Sequence, residues 1–239
     1  MGKVTRRSFV TSVGAAGVVP AAALLPPAAQ AAAPIPTGAE TAGPIYLFFN
    51  ADEALFIEAA CERLIPADEA GPGAIGAGVP NYLDKQLAGA WGAGERLYRS
   101  GPWAEGTASQ GYQLPFTPAE LFHASLRAIH RDLHARGTAF IAMSGEEQDA
   151  YLRSLESGKD DLDGVPAAVF FDTLLKMTIE GFFCDPVYGG NRDMAGWRMI
   201  GFPGAYADYL EAVDRQGVKF EREPMSLAEH AHHLRQNMP

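Results

Sequence analysis

The chain has 239 residues, is 47% hydrophobic and 20% charged, and carries a formal net charge of −10 at pH 7. That length suffices for one domain with a sizeable core. The excess of acid argues against nucleic acid as a partner, because Lys and Arg neutralising phosphates supply such affinity, and no basic patch stands out beyond the N-terminus.

The N-terminus reads as a targeting segment. Thr5-Arg6-Arg7-Ser8-Phe9-Val10 places a twin arginine before the apolar stretch Val10 to Leu25, and Ala29-Gln30-Ala31 comes next as an A-x-A cleavage site. Residues 1–31 are therefore expected to be a twin-arginine export signal, with Arg6 and Arg7 as its recognition pair. Pro20, Pro26 and Pro27 interrupt this alanine-rich run, which argues against a membrane anchor. Loss of Lys3, Arg6 and Arg7 on cleavage takes the net charge from −10 to −13. Residues 32–47, rich in Ala, Pro, Thr and Gly, read as a flexible linker, and residues 48–239 as the folded domain.

Asn50 and Glu53 form a capping box that opens a helix to Ile65, where Pro66 stops it. Pro80 suits the first turn of a second helix, reaching Ala90. Between Trp91 and Phe116, seven glycines and prolines break any long element while Trp91, Tyr98, Trp103, Tyr112 and Phe116 supply apolar bulk. This predicts an ordered, aromatic-rich loop, free to cover the core or to pack on a partner.

Thr117-Pro118-Ala119-Glu120 gives a second box, and the helix it opens buries Phe122, Leu126, Ile129 and Leu133. His123, Arg127, His130 and His134 run along a neighbouring line. Histidines four apart can chelate zinc, but the HExxH glutamate and a third ligand are missing, so a solvated face is the expectation and a partner-facing stripe comes second. Ser144 and Glu147 open a helix to Glu156. Asp160, Asp161 and Asp163 then sit in a loop from Lys159 to Gly164 that lacks the remaining ligands of a calcium loop; they read as turn acids.

Val165 to Cys184 is apolar nearly all round, which predicts a central helix buried on all sides. It delivers the densest stretch of the chain, Gly181 to Gly204, where six glycines, two prolines, three phenylalanines, a tyrosine and a tryptophan fall within 24 residues. A rigid aromatic loop is expected there. Its Gly189-Gly190 pair matches neither GxGxxG nor GxxxxGK[ST] and comes after a helix instead of a strand, which argues against a phosphate cradle. Beyond it, Ala205 to Arg215 reads as a short helix, Val218 to Glu223 as extended chain, and Ser226 with Glu229 as a last box opening a tail helix that exposes His230, His232 and His233. The fold class expected is all-α: a single helical domain with long aromatic- and Gly-rich loops behind a signal segment.

The two cysteines, Cys61 and Cys184, form neither CxxC nor CxxCH, which argues against covalent haem or an iron–sulfur cluster held by this chain alone. Their spacing leaves a disulfide open. Cys61 lies on the apolar stripe Ile57, Cys61, Leu64, Ile65, which favours a buried free thiol.

The run DPVYGGNRDMAGWRMIGFPG, Asp185 to Gly204, resembles the signature of the gluconate 2-dehydrogenase subunit 3 family, the small subunit of membrane-bound sugar and sugar-acid dehydrogenases. The resemblance runs from Phe48 to Phe220 and includes the helix ending in Arg63-Leu64-Ile65-Pro66. It implies a non-catalytic chain with no cofactor or metal of its own. Its implied partners are a large subunit that carries FAD and oxidises a sugar, polyol or sugar acid, and a multihaem cytochrome c subunit that passes electrons on. It further implies that this chain supplies the export signal its flavoprotein partner lacks, so that the loaded partner leaves the cytoplasm with it, and that the complex resides in the periplasm, membrane-associated through the partner. The aromatic loops supply the interface candidates: Trp103, Tyr112, Tyr188, Asn191, Arg192, Trp197 and Arg198. The same residues serve equally as filling for the chain's own core. The alternative from another class is a free-standing periplasmic sugar-binding protein or enzyme.

Overall fold

The computed structural model describes residues 45–104, 106–107, 110–206, 213–215, 217–218 and 221–229. Capping boxes set the starts of three of the six α-helices among the described residues. The signal segment 1–31 with Arg6 and Arg7, most of the linker, most of the expected helix from Ala205 to Arg215, and the tail histidines His230, His232 and His233 lie outside the described residues.

Helix α1 (Ala51–Leu64) begins where the Asn50 side chain accepts from the amides of Asp52 and Glu53 while the Glu53 carboxylate accepts from the Asn50 amide. It stops before Pro66, whose ring disfavours helical backbone in the residue ahead of it. Helix α2 (Val79–Ala88) carries Pro80 in its first turn, where the missing N–H costs nothing. Helices α3 (Pro118–Ala135) and α4 (Gly145–Glu156) open on the boxes Thr117/Glu120 and Ser144/Glu147, both closed in each direction. All four residues of the expected α3 stripe, Phe122, Leu126, Ile129 and Leu133, are buried.

Helix α5 (Ala167–Phe183) is the hub, packed against α1, α2, α3 and α4 and against the short helix α6 (Ala195–Ile200). It is not buried on all sides. Asp172, Lys176, Ile179 and Glu180 form an exposed stripe at helical spacing, with Lys176 Nζ 2.6 Å from Asp172 Oδ2. The polar residues recur every four positions, so even an apolar-rich helix keeps one edge for water.

The acidic segment ahead of α5 is not a plain loop. Strands β1 (Asp161–Leu162) and β2 (Val165–Pro166) form a two-residue antiparallel hairpin, with Asp163 and Gly164 both at positive φ. That is the turn a tight hairpin favours, and its Asp-Gly pair suits it. Asp161 Oδ1 accepts from the Gly164 amide at 2.8 Å, and Asp163 pairs with Arg131. The acids thus hold the turn and tie it to α3. The pairing also moves Val165 from the expected helix into a strand.

Both cysteines are free thiols. Thr178 gives its one hydroxyl proton to the Leu174 carbonyl, so the buried Cys61 thiol donates to Thr178 Oγ1, 3.4 Å away. Burial pushes the Cys61 thiol up to about 12. Cys184 is half-buried, donates to the Gly181 carbonyl, and is also raised by burial. Denatured without reductant, the protein should therefore take up iodoacetamide at both cysteines, read by intact mass; loss of both thiols together in a reductant-sensitive form would contradict this arrangement.

The segment ahead of α1 is clasped by one carboxylate. Asp84, 1% exposed on α2, accepts from the amides of Leu47, Phe48 and Phe49 at 2.8, 2.8 and 3.1 Å. Its charge is met by three backbone dipoles, as a buried carboxylate requires. Replacing it with Ala strands those amides, so Asp84→Ala should cost about 3 kcal/mol in urea unfolding. A loss below about 1 kcal/mol would mean that water replaces the clasp.

Candidate functional site

Every helix ends with carbonyls that have no intrahelical partner, and the last turn of α5 meets this need through the glycine-rich segment directly after it. The Gly181 carbonyl accepts from the Asn191 amide at 2.9 Å, and the Phe183 carbonyl from Trp197 Nε1 at 2.7 Å. The Cys184 carbonyl accepts from Asn191 Nδ2 at 2.8 Å. Asn191 Oδ1 in turn accepts from the Gly196 amide at 2.8 Å, one of the unpaired donors at the start of α6. One asparagine therefore caps the end of one helix and the start of the next.

Asn191 is fully buried and sits at φ 42°, in the left-handed region. Asp193 and Met194 share that region at φ 56° and 55°. Non-glycine residues held there cost on the order of 1–3 kcal/mol each, and persist only where the surroundings over-determine them. The determinants here are the Asn191 bonds, the Met194 amide donating to the Asn191 carbonyl at 2.8 Å, and the Arg192 amide donating to Ala77 at 2.9 Å.

Two glycines make the fit possible. A Cβ at Gly190 would stand 2.1 Å from the Gly181 carbonyl oxygen, and one at Gly204 2.3 Å from that of Met225. Gly190 thus lets the chain pack on itself and offers no open cradle to a phosphate. Gly204 lets residues 203–205 pair with Met225, through bonds of 3.1 Å from the Met225 amide to Pro203 and 2.7 Å from the Ala205 amide to Met225. Asp185 completes the frame, accepting from Val187 and from Leu227 at 2.9 and 2.8 Å.

The side chains that this frame presents outward are apolar. Val187, Tyr188, Met199, Ile200, Phe202 and Leu227 are each 44–60% exposed. Phe202 meets the buried Trp197 edge-on with centroids 5.2 Å apart. Arg192 and Arg198 stand exposed beside them; Arg198 donates to the Asp193 carbonyl at 3.2 Å and pairs with Glu223.

The seven interface candidates separate accordingly. Asn191 and Trp197 are buried in the chain's own framework, whereas Tyr188, Arg192 and Arg198 are exposed. Trp103 and Tyr112 belong to the separate connection between α2 and α3. Trp103 is exposed there; Tyr112 is half-buried, donates to the Phe116 carbonyl at 3.3 Å, and is raised in pKa by that burial. Sequence reasoning missed Val187, Met199, Ile200, Phe202 and Leu227. The spacing of Trp197 against Met199 and Ile200 was the available signal, hidden because the glycines around it read as loop.

The histidine line on α3 is only partly solvated. His123 Nδ1 lies 3.2 Å from Glu53 Oε1, with its ring stacked 4.2 Å from that of Phe48. His130 and His134 edge a groove of about 260 Å³ with Leu55, Phe56 and Ile129. Among the described residues no three His, Cys, Asp or Glu side chains are placed to share a metal ion.

The family model described as Gluconate 2-dehydrogenase subunit 3 matches residues 51–204, from the first residue of α1 to the glycine that closes the frame. No curated protein and no solved structure matches the chain.

The double cap makes a graded prediction. Asn191→Gly removes the side-chain bonds but tolerates the left-handed backbone, whereas Asn191→Ala loses both. In urea unfolding both should destabilise by about 2–4 kcal/mol, Ala by about 1 kcal/mol more than Gly. Equal costs would show that the backbone relaxes out of the left-handed region.

Proposed function

The chain belongs to the gluconate 2-dehydrogenase subunit 3 family, and on that premise we propose that it is the non-catalytic small subunit of a periplasmic, membrane-associated flavoprotein dehydrogenase. Its task is export and maturation of the FAD-containing catalytic subunit, followed by residence in the complex. The observation that carries this reading is the family match over residues 51–204, which makes the chain a subunit of a dehydrogenase complex.

Two further observations support the role. Arg6-Arg7, the apolar run and Ala29-Gln30-Ala31 stand in the order of a twin-arginine signal, and that route moves folded proteins, so a partner loaded with FAD in the cytoplasm can travel with its carrier. No helix among the described residues is long and apolar enough to cross a membrane, in keeping with attachment through the partner. On this reading FAD belongs to the catalytic subunit and c-type haem to a cytochrome subunit. This chain contributes binding surface, and the partner's substrate is a sugar, polyol or sugar acid.

The test is where the flavoprotein encoded with this chain ends up when Arg6 and Arg7 are both replaced by Lys, which keeps the charge and spoils the signal. The flavoprotein and its dye-linked activity should remain in the cytoplasm. Arrival in the periplasm at the wild-type level would remove the carrier role and bring forward a free-standing periplasmic binding protein or enzyme.

A further inference from the structure

Helices α1 and α3 both pack on α5, and a trough remains between them, bounded by the turn Phe140–Ala142. Phe56, Ile129, Leu133 and Phe140 floor it, while Leu55 and Ile141 stand half-exposed at its edge. A second hollow continues the first, since Asp52, Leu126 and His130 line both. The two form one concave face that runs from Asn50 and Arg127 to Ile141.

The second hollow holds four charged side chains: Asp52, Glu53, Arg127 and Arg131. Two of them are engaged, Glu53 by the Asn50 amide and by His123, and Arg131 by Asp163. Arg127 helps to lower the pKa of Asp163, but both oxygens of that carboxylate are already bonded to Arg131. Asp52 and Arg127 are exposed, and neither has an ion-pair partner among the described residues. One unmatched anion and one unmatched cation therefore face water in the same hollow.

An occupant has to answer both charges. An anionic membrane surface would attract Arg127 and be opposed by Asp52. A different protein has to present the opposite pair at the same separation, whereas a second copy of this chain presents it by symmetry. A two-fold axis through the midpoint between Asp52 and Arg127 sets each against its counterpart in the other copy. Two identical charge pairs form, and the patch meets itself, as an isologous contact requires. Leu55, one turn along α1 from Asp52, leaves water in the same docking.

We infer that the hollow between Asp52 and Arg127 is a two-fold contact through which two copies of this chain associate. The inference is independent of the subunit role proposed above. Two surface charge pairs beside one apolar edge make a weak contact, with a dissociation constant on the order of 10–100 μM.

The experiment follows the full chain by sedimentation velocity from about 1 to about 300 μM, where the wild type should pass from monomer to dimer. Asp52→Arg alone and Arg127→Glu alone should each weaken the dimer about tenfold or more, because each sets like charges together at both pairs. An equimolar mixture of these two variants should regain the wild-type association, since contacts between one variant and the other again join opposite charges. The combined variant Asp52→Arg/Arg127→Glu should regain it too. A merely structural role for either residue gives no such rescue. Ile200→Glu, an exposed apolar site on α6, should leave the dimer unchanged. Thermal melts control for folding. Should a reversal unfold the chain, Asp52→Asn and Arg127→Gln decide the question, each expected to weaken the dimer about threefold. A chain that stays monomeric throughout, a dimer indifferent to these changes, or one weakened by both reversals and not restored by mixing overturns the inference. If a monomeric wild type instead binds the flavoprotein and Asp52→Arg abolishes that binding, the hollow belongs to a contact between different subunits and the two-fold assignment is overturned.

Discussion

The carbonyls at the end of α5 dictate the path of the chain from Cys184 to Gly204. Water would satisfy them if the helix ended in solvent, but α5 is packed against four other long helices and its final turn is largely covered. The chain therefore has to bring donors back within a few residues. It does so with one backbone amide, one indole and one carboxamide, the last also feeding an oxygen to the next helix. Gly190 admits the close approach, and Asn191, Asp193 and Met194 take left-handed backbone because the bonds leave no other route. With Trp197 turned inward to reach Phe183, the remaining side chains of α6 have to face out. The exposure of Met199, Ile200 and Phe202 is thus a geometric consequence of capping a buried helix.

Much of the helical fold was legible because its signals are local. The boxes at Asn50, Thr117 and Ser144 each close within three residues, and all of them form. Ser226 and Glu229 exchange the same two bonds where the tail begins. The stripe on α3 was legible for a related reason, since helical spacing alone decides which residues share a face. The departures lie where local preference is outweighed. The Asp161–Pro166 hairpin is too short to show alternation, and its acids suit either turn or ligand roles until Arg131 is seen opposite Asp163. For α5, the number of apolar residues concealed the angle at which Asp172, Lys176 and Glu180 recur.

The site was legible in position and illegible in direction. Composition singled out Gly181 to Gly204, because aromatic and glycine density is visible in a string of letters. Which side chains turn inward depends on donors and acceptors contributed from Ala77, Asn81 and Leu227, far away in sequence. Trp197, interface-like by type, is spent inside together with Asn191, and plain aliphatic neighbours such as Ile200 stand outside.

That inversion bears on how the exposed side chains of this segment depend on the core. Met199, Ile200 and Phe202 are held outward by bonds that exist only after α5 has folded and its terminal carbonyls have found Asn191 and Trp197. In the unfolded chain nothing local keeps Met199, Ile200 and Phe202 on the side opposite Trp197, and the left-handed residues between Asn191 and Met194 relax to commoner backbone. The surface is therefore coupled to the core through α5, the element that touches every other long helix. A chain with a damaged core loses this arrangement of side chains together with its stability, so the arrangement reports the folded state of the helices packed on α5.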